Sequence, residues 1–394
     1  MTARPGLPDR TLGSGLQARA AVVVFLLGAA LSVAASVLPA IPWRMAVGFV
    51  GPEAYAWMKS PLWPSLADFP TSALAYDASL VMRSYVWCAE LFDLSPTQLA
   101  GVHVTLQALL LTYAAWRLGV ALSGRDAAAM LVCGVVLISH LTGANLGRFG
   151  DGLQGSIHAL YYGYANACCL LAIACRLEQR HLAAAVALFA CGLAHPTIGL
   201  YTGAFLTLSL WQHPPRLPDL KVLWPYAATA LAMALWIMAT RPPDLGDAVP
   251  ADAFIRATRT FSAHWHPLQL EIFTRSFYAN TAPQLFALAA LIVAWPALTT
   301  IHERGLSRAL AAGVLGMLAI SALGILLTDV WPVKAVVELC PQRGSFVVTL
   351  LGGAVAALYL WQKMRDGDLV ESAAATLALA ALATRPTAWP PCPG

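Results

Sequence analysis

The stretch LAAAVALFACGLAHPTIGLYTGAFLTLSLWQ, residues 182–212, carries the reading of the whole fold. It holds no Asp, Glu, Lys or Arg, and His195-Pro196 interrupts it in the middle. Drawn as a single helix, residues 181–212 would reach about 48 Å, well beyond a hydrocarbon layer of about 30 Å. Arg176 and Arg180 precede the stretch, and Arg216 and Lys221 follow it. Both flanks therefore read as cytoplasmic, and the segment has to enter the membrane and return. Proline donates no backbone hydrogen bond and disfavours helix in the residue before it. The expectation is two short helices, 181–194 and 197–212, meeting at His195-Pro196.

The rest of the chain agrees with a membrane setting. Of its 394 residues, 59% are hydrophobic and only 11% are charged, where soluble domains carry about 25% charged residues. The net charge of +4 comes from scattered basic residues, with no basic tract that would suit nucleic acid. Further apolar runs of spanning length fall at 18–40, 97–122, 127–145, 156–175, 221–240, 281–301, 306–328, 342–361 and 368–385. With the two halves of the broken helix this predicts an all-α polytopic bundle of about 11 spans, one transmembrane domain over residues 1–394. Arg4, Arg10 and Arg19 ahead of Ala20–Ala40 resemble a signal peptide, but the run is long enough to span, so a retained first helix is expected. The eight cysteines form no Cys-x-x-Cys pair and no disulfide framework.

Charge sets the orientation. Placing the N-terminus in the cytoplasm puts 13 of the 24 basic residues on short inner segments, among them Arg117, Arg125, Arg176, Arg180, Lys363 and Arg365. The remainder are spread over much longer outer segments, so the density favours this threading and a periplasmic C-terminus. Two outer loops are longer than connectors need to be, 41–96 and 241–280. The first holds ten aromatic residues, from Trp43 to Phe92, and Trp and Tyr favour the headgroup layer. Both loops are expected to carry interfacial helices.

Within this frame a few polar residues stand out. His195 sits about 20 Å along from Leu182, in the outer third of the membrane. An ionisable group at that depth faces protein or a polar cavity, and interrupted helices are where such cavities are lined. The plainer reading is a hairpin whose histidine caps a neighbouring carbonyl. Asp77, in YDASLVMRSY, precedes an amphipathic stretch, 78–92; it reads either as a helix cap or as a general base at the outer surface. Arg148 and Arg343 lie on outer segments, where a guanidinium suits phosphate or snorkels to the interface. Arg343 opens a span in PQRGSF, against the helix dipole, as a group serving an anionic ligand would. His264 and His266 in SAHWHP lack an adjacent third ligand, so polar contacts over a cavity mouth are expected there rather than zinc. No Walker loop, Rossmann glycine motif or nucleophile elbow occurs, which argues against an ATP-driven pump and a serine hydrolase.

The order of these features resembles the GT-C class of polytopic membrane glycosyltransferases and their bacterial relatives. The residues that carry the resemblance are YDASLVMRSY (76–85), LAHPTIGLY (193–201), SAHWHP (262–267) and PQRGSF (341–346). It implies a bacterial inner-membrane enzyme that moves a sugar from a polyprenyl-phosphate carrier to an acceptor on the outer face. Asp77 would be its catalytic base, with Arg343, Arg148 and His195 on the carrier phosphate and His264 and His266 at the substrate. Several members carry two adjacent acids in the first loop. Here Ala78 follows Asp77 and Asp68 lies nine residues before it, so a divalent metal lacks its second acid and no cofactor is expected. Two other readings stand beside the enzyme. One is a transporter or flippase of a lipid-linked or small anionic substrate, which acids or symmetry within the spans would favour. The other is a non-catalytic subunit with membrane-protein partners in a larger complex.

Overall fold

The computed structural model describes residues 12–40, 78–142, 161–210, 220–240, 250–261 and 304–383, together with His266, Ala289 and Ile292. Every regular element among them is helical. The first outer loop up to Asp77, Arg148, His264 and most of the 281–301 run lie outside the described residues.

Helix α1 (Leu12–Val37) is followed by a short 3₁₀ turn, Leu38–Ala40. Helix α2 (Leu80–Phe92) leads into α3 (Pro96–Ser123), whose start is sealed by a capping box between Ser95 and Gln98. Helices α4 (Asp126–Thr142) and α5 (Tyr161–Leu177) complete the first half of the bundle. The decisive stretch follows as α6 (His181–Ala194) and α7 (Pro196–Leu208), broken at His195. Beyond them lie α8 (Leu220–Thr240), the short amphipathic α9 (Ala251–Phe261) and α10 (Arg304–Ile325). The end of α10 widens into a π turn, Leu326–Val330. The chain closes with α11 (Lys334–Leu339), a 3₁₀ turn Pro341–Gly344, α12 (Ser345–Asp366) and α13 (Leu369–Ala383).

Among the described residues, five helical stretches are long and apolar enough to cross a membrane: 19–37, 97–123, 221–240, 308–330 and 334–366. Shorter apolar helices, among them α6 and α13, stand beside them. Large apolar side chains such as Val24, Val186, Leu231, Met238, Leu315 and Leu377 remain exposed around the bundle. Exposure of that kind is tolerated where the solvent is lipid, and the chain is a membrane protein. The interior is packed by fully buried Leu111, Leu118, Leu170, Ile173, Leu350 and Leu351, from α3, α5 and α12.

The broken helix is a hairpin, as its charge-free length requires. Its two halves approach closely where glycines meet: a Cβ on Gly199 would lie 2.4 Å from the Cα of Gly192. Small residues permit such backbone contact between helices in a membrane. The second half ends at Leu208, four residues before the expected 212.

The bundle has two chemically distinct ends. At one, Arg117 at the foot of α3 pairs with Glu178 after α5, and Arg180 lies 3.5 Å from the same carboxylate. Buried Arg176 clamps the C-terminus of α7 here: Nη2 donates to the Ser209 carbonyl at 2.8 Å and Nε to its hydroxyl at 3.2 Å. A cation suits a helix C-terminus, where the carbonyls lack partners. The foot of α12 is tied to α13 at this end through Lys363 and Glu371, 2.9 Å apart. The opposite end holds the His195 break, the start of α2 and the end of α8.

Candidate functional site

The break rests on an exchange of hydrogen-bond partners. In a continuous helix the Ile198 N–H would donate to the Ala194 carbonyl, four residues back. Instead His195 adopts extended backbone angles, φ −150° and ψ 106°, and its Nδ1 accepts from Ile198 N at 3.4 Å. His195 is thus the N-cap of α7, with Pro196 at the first helical position, which tolerates proline because its N–H would be unpaired anyway. A ring that accepts at Nδ1 carries its neutral-state proton on Nε2, so the imidazole presents Nε2–H as a donor. The side chain is 3% exposed, and the Tyr162 ring of α5 lies against it at 4.7 Å between centroids.

The Ala194 carbonyl, deprived of Ile198, is satisfied from elsewhere in the chain. The Ser79 hydroxyl donates to it at 2.6 Å and accepts from Met82 N at 3.3 Å, capping α2 at the same time. Ser79 is fully buried. One residue earlier, the Ala78 carbonyl accepts from Trp236 Nε1 of α8 at 2.7 Å. The cap of α2 is therefore Ser79, and not the Asp77 that the cap reading favoured. The segment entering α2 is held against the break from two sides.

A second connection joins the break to the turn before α12. Tyr201, six residues into α7, donates its hydroxyl to the Leu339 carbonyl at 2.5 Å. The following turn, Pro341–Gly344, nestles against α10 and α7 through glycines. A Cβ on Gly324 would meet Pro341 at 2.7 Å, and one on Gly344 would meet Met317 at 2.5 Å and Tyr201 at 3.1 Å. Arg343 is half-buried in this turn, directly ahead of α12. So His195, the segment that follows Asp77, and the Arg343 turn are fastened to one hairpin.

His266 goes elsewhere. It is buried against Thr258 of α9 and the Thr328 carbonyl of the π turn, with the Asp329 carboxylate 3.8 Å away. Asp77, Arg148 and His264 lie outside the described residues. Among those described, no group of three or more His, Cys, Asp or Glu is placed to hold a metal ion.

A polar seam between α3 and α5 escaped the sequence reading. His103 Nδ1 lies 3.1 Å from the Tyr164 hydroxyl, and Gln107, one turn on, is fully buried with neither end of its carboxamide hydrogen-bonded among the described residues. Gly163 makes room for it, since a Cβ there would lie 1.9 Å from Gln107 Oε1. Helical spacing of His103 and Gln107 was the available signal. Ser79 also announced itself, as a serine directly ahead of an apolar helical run. Trp236 and Tyr201 gave no such sign. No protein-family model and no curated protein matches the chain.

Proposed function

We propose that the chain is a GT-C-like membrane glycosyltransferase that moves a sugar from a polyprenyl-phosphate carrier to an acceptor on the outer face of a bacterial inner membrane. The observation that carries the reading is the pair of hydrogen bonds Ser79–Ala194 and Trp236–Ala78. The first joins Ser79, two residues after Asp77, to the residue directly before His195, and the second ties Ala78 to α8. Two segments that sequence alone marked for chemistry, 115 positions apart at this bond, thus share one place in the bundle. Clustering of Arg117, Arg176 and Arg180 at the end opposite the break supports a cytoplasmic assignment for that end.

In the proposed reaction the Asp77 carboxylate takes the proton of the acceptor hydroxyl, and the freed oxygen attacks the anomeric carbon. The bond from that carbon to the carrier phosphate breaks, and its electron pair leaves with the phosphate. Arg343, Arg148 and the Nε2–H of His195 stabilise the leaving charge. Donors held in place before the charge develops contribute most in such a step.

The test is Asp77→Asn in cells that lack the native copy. The lipid fraction is analysed by mass spectrometry for polyprenyl-phosphate-linked sugar, and purified variant is compared with wild type for thermal stability. The expected result is accumulation of carrier-linked sugar with unchanged stability. A lipid profile identical to that of wild-type cells removes the catalytic assignment.

A further inference from the structure

The π turn at the end of α10 leaves carbonyls outside the regular helical ladder. Trp331 N bonds to Leu326 O at 2.9 Å and Val333 N to Leu327 O at 3.0 Å, longer steps than the four residues of an α-helix. The carbonyls of Thr328 and Asp329 are met instead by side chains of the 241–280 loop. His266 Nδ1 lies 3.1 Å from Thr328 O, and Arg259 Nη2 donates to Asp329 O at 2.9 Å. A carbonyl only accepts, so Nδ1 carries the proton. In the neutral ring Nε2 then accepts from the Thr258 hydroxyl, 2.9 Å away.

We propose that His266 is a proton-sensitive latch: neutral, it fastens α9 to the π turn; protonated, it releases α9 and loosens the 331–344 segment that bears Arg343. On protonation Nε2 becomes a donor, and Thr258 has to turn its hydroxyl toward Ile255 O, 3.0 Å away. The new charge would be buried with its neighbours of both signs. From α9 comes the Arg259 guanidinium; from the π turn comes the Asp329 carboxylate, whose Oδ1 is 3.8 Å from Nδ1. The Asp252–Arg256 pair lies on the exposed side of α9, and Lys334 of α11 sits over the Phe254 ring at 5.8 Å. Burial first, then Arg259, pushes the His266 pKa down to about 4, against the hydrogen bond to Thr328. The latch reaches the Arg343 turn because Pro341 and Gln342 pack on Gly324, one turn before Thr328. This proposal is independent of the transferase reading.

The sign follows from proton binding. A released histidine titrates near 6.5 and the latched one near 4, so release takes up protons between those values. The latch is then fully effective above pH 6.5 and weakens as pH falls toward 4. Between pH 7.5 and 5 the opening equilibrium should rise about thirtyfold.

The test is hydrogen–deuterium exchange of the full-length protein in lipid nanodiscs from pH 7.5 to 4, with intrinsic exchange rates divided out. Peptides covering 251–261 and 331–344 should lose protection about thirtyfold by pH 5, while peptides within 345–358 hold. His266→Gln can donate to Thr328 and accept from Thr258 but does not titrate; it should match wild type at pH 7.5 and stay flat. Thr258→Val strips Nε2 of its partner and should lower protection of 251–261 already at pH 7.5. Parallel pH profiles in wild type and His266→Gln, or full protection in Thr258→Val, would overturn the latch.

Discussion

Ser79→Ala is the sharpest probe of how the break is held. The hydroxyl does two things at once, capping α2 through Met82 N and satisfying the Ala194 carbonyl. Losing a serine cap costs about 1 kcal/mol. Leaving a buried acceptor without its partner adds about 1–3 kcal/mol. The two effects are separate groups on separate helices, so the expected destabilisation is about 2–4 kcal/mol. Ser84→Ala is the matched control on the same helix, since Ser84 only bonds back to Val81 O at 2.7 Å and is part-buried. It should cost under about 0.5 kcal/mol. Intrinsic tryptophan fluorescence during thermal unfolding in one detergent ranks the two variants, and hydrogen exchange over residues 192–198 locates the loosening. Equal melting of Ser79→Ala and Ser84→Ala, with unchanged exchange at the break, would refute the claim that Ser79 fastens α2 to the hairpin.

Two further substitutions separate roles that overlap in the wild type. Asparagine caps helices well, so His195→Asn should keep the cap on Ile198 N and the melting temperature within a few degrees while removing the Nε2–H donor. If the transferase reading holds, carrier-linked sugar accumulates in that variant; normal turnover would reduce His195 to a cap. Gly163→Ala should destabilise by about 1–3 kcal/mol because its Cβ meets the Gln107 carboxamide. Combined with Gln107→Ala the penalty should largely vanish, and strict additivity of the two in thermal unfolding would show that they do not touch.

The hairpin was legible because two simple quantities collide there: a charge-free run too long for one crossing, and a His-Pro pair that stops a helix. Residue type and spacing carry that information locally. What lay beyond reach was which groups take over the orphaned atoms. The Ala194 carbonyl is met from 115 positions away and the Leu339 carbonyl from 138. Nothing in YDASLVM or TIGLYTG names those partners. The π turn is similar. LLTDVWP reads as a helix stopping before Pro332, and the widening becomes intelligible only once His266 and Arg259 are seen on its carbonyls. Span counting by length also loses its footing with α6 and α7. Such short helices survive at membrane depth because neighbouring protein satisfies their ends.

Both ends of the hairpin are closed by side chains from other helices, Arg176 at the Ser209 end and Ser79 at the Ala194 end. A bilayer offers no water to meet a stray carbonyl, so each closure removes a cost that lipid would otherwise impose in full. The consequence is stiffness. An imidazole that caps its own helix, rests against Tyr162 and follows a carbonyl pinned by Ser79 has little freedom to search for a ligand. Its Nε2–H direction is set by the fold before anything binds. Serine, aspartate or asparagine would have capped α7 at least as well. Histidine adds to the cap a ring that packs on Tyr162 and carries Nε2–H, and in the proposed transfer a donor fixed in advance would meet the departing phosphate.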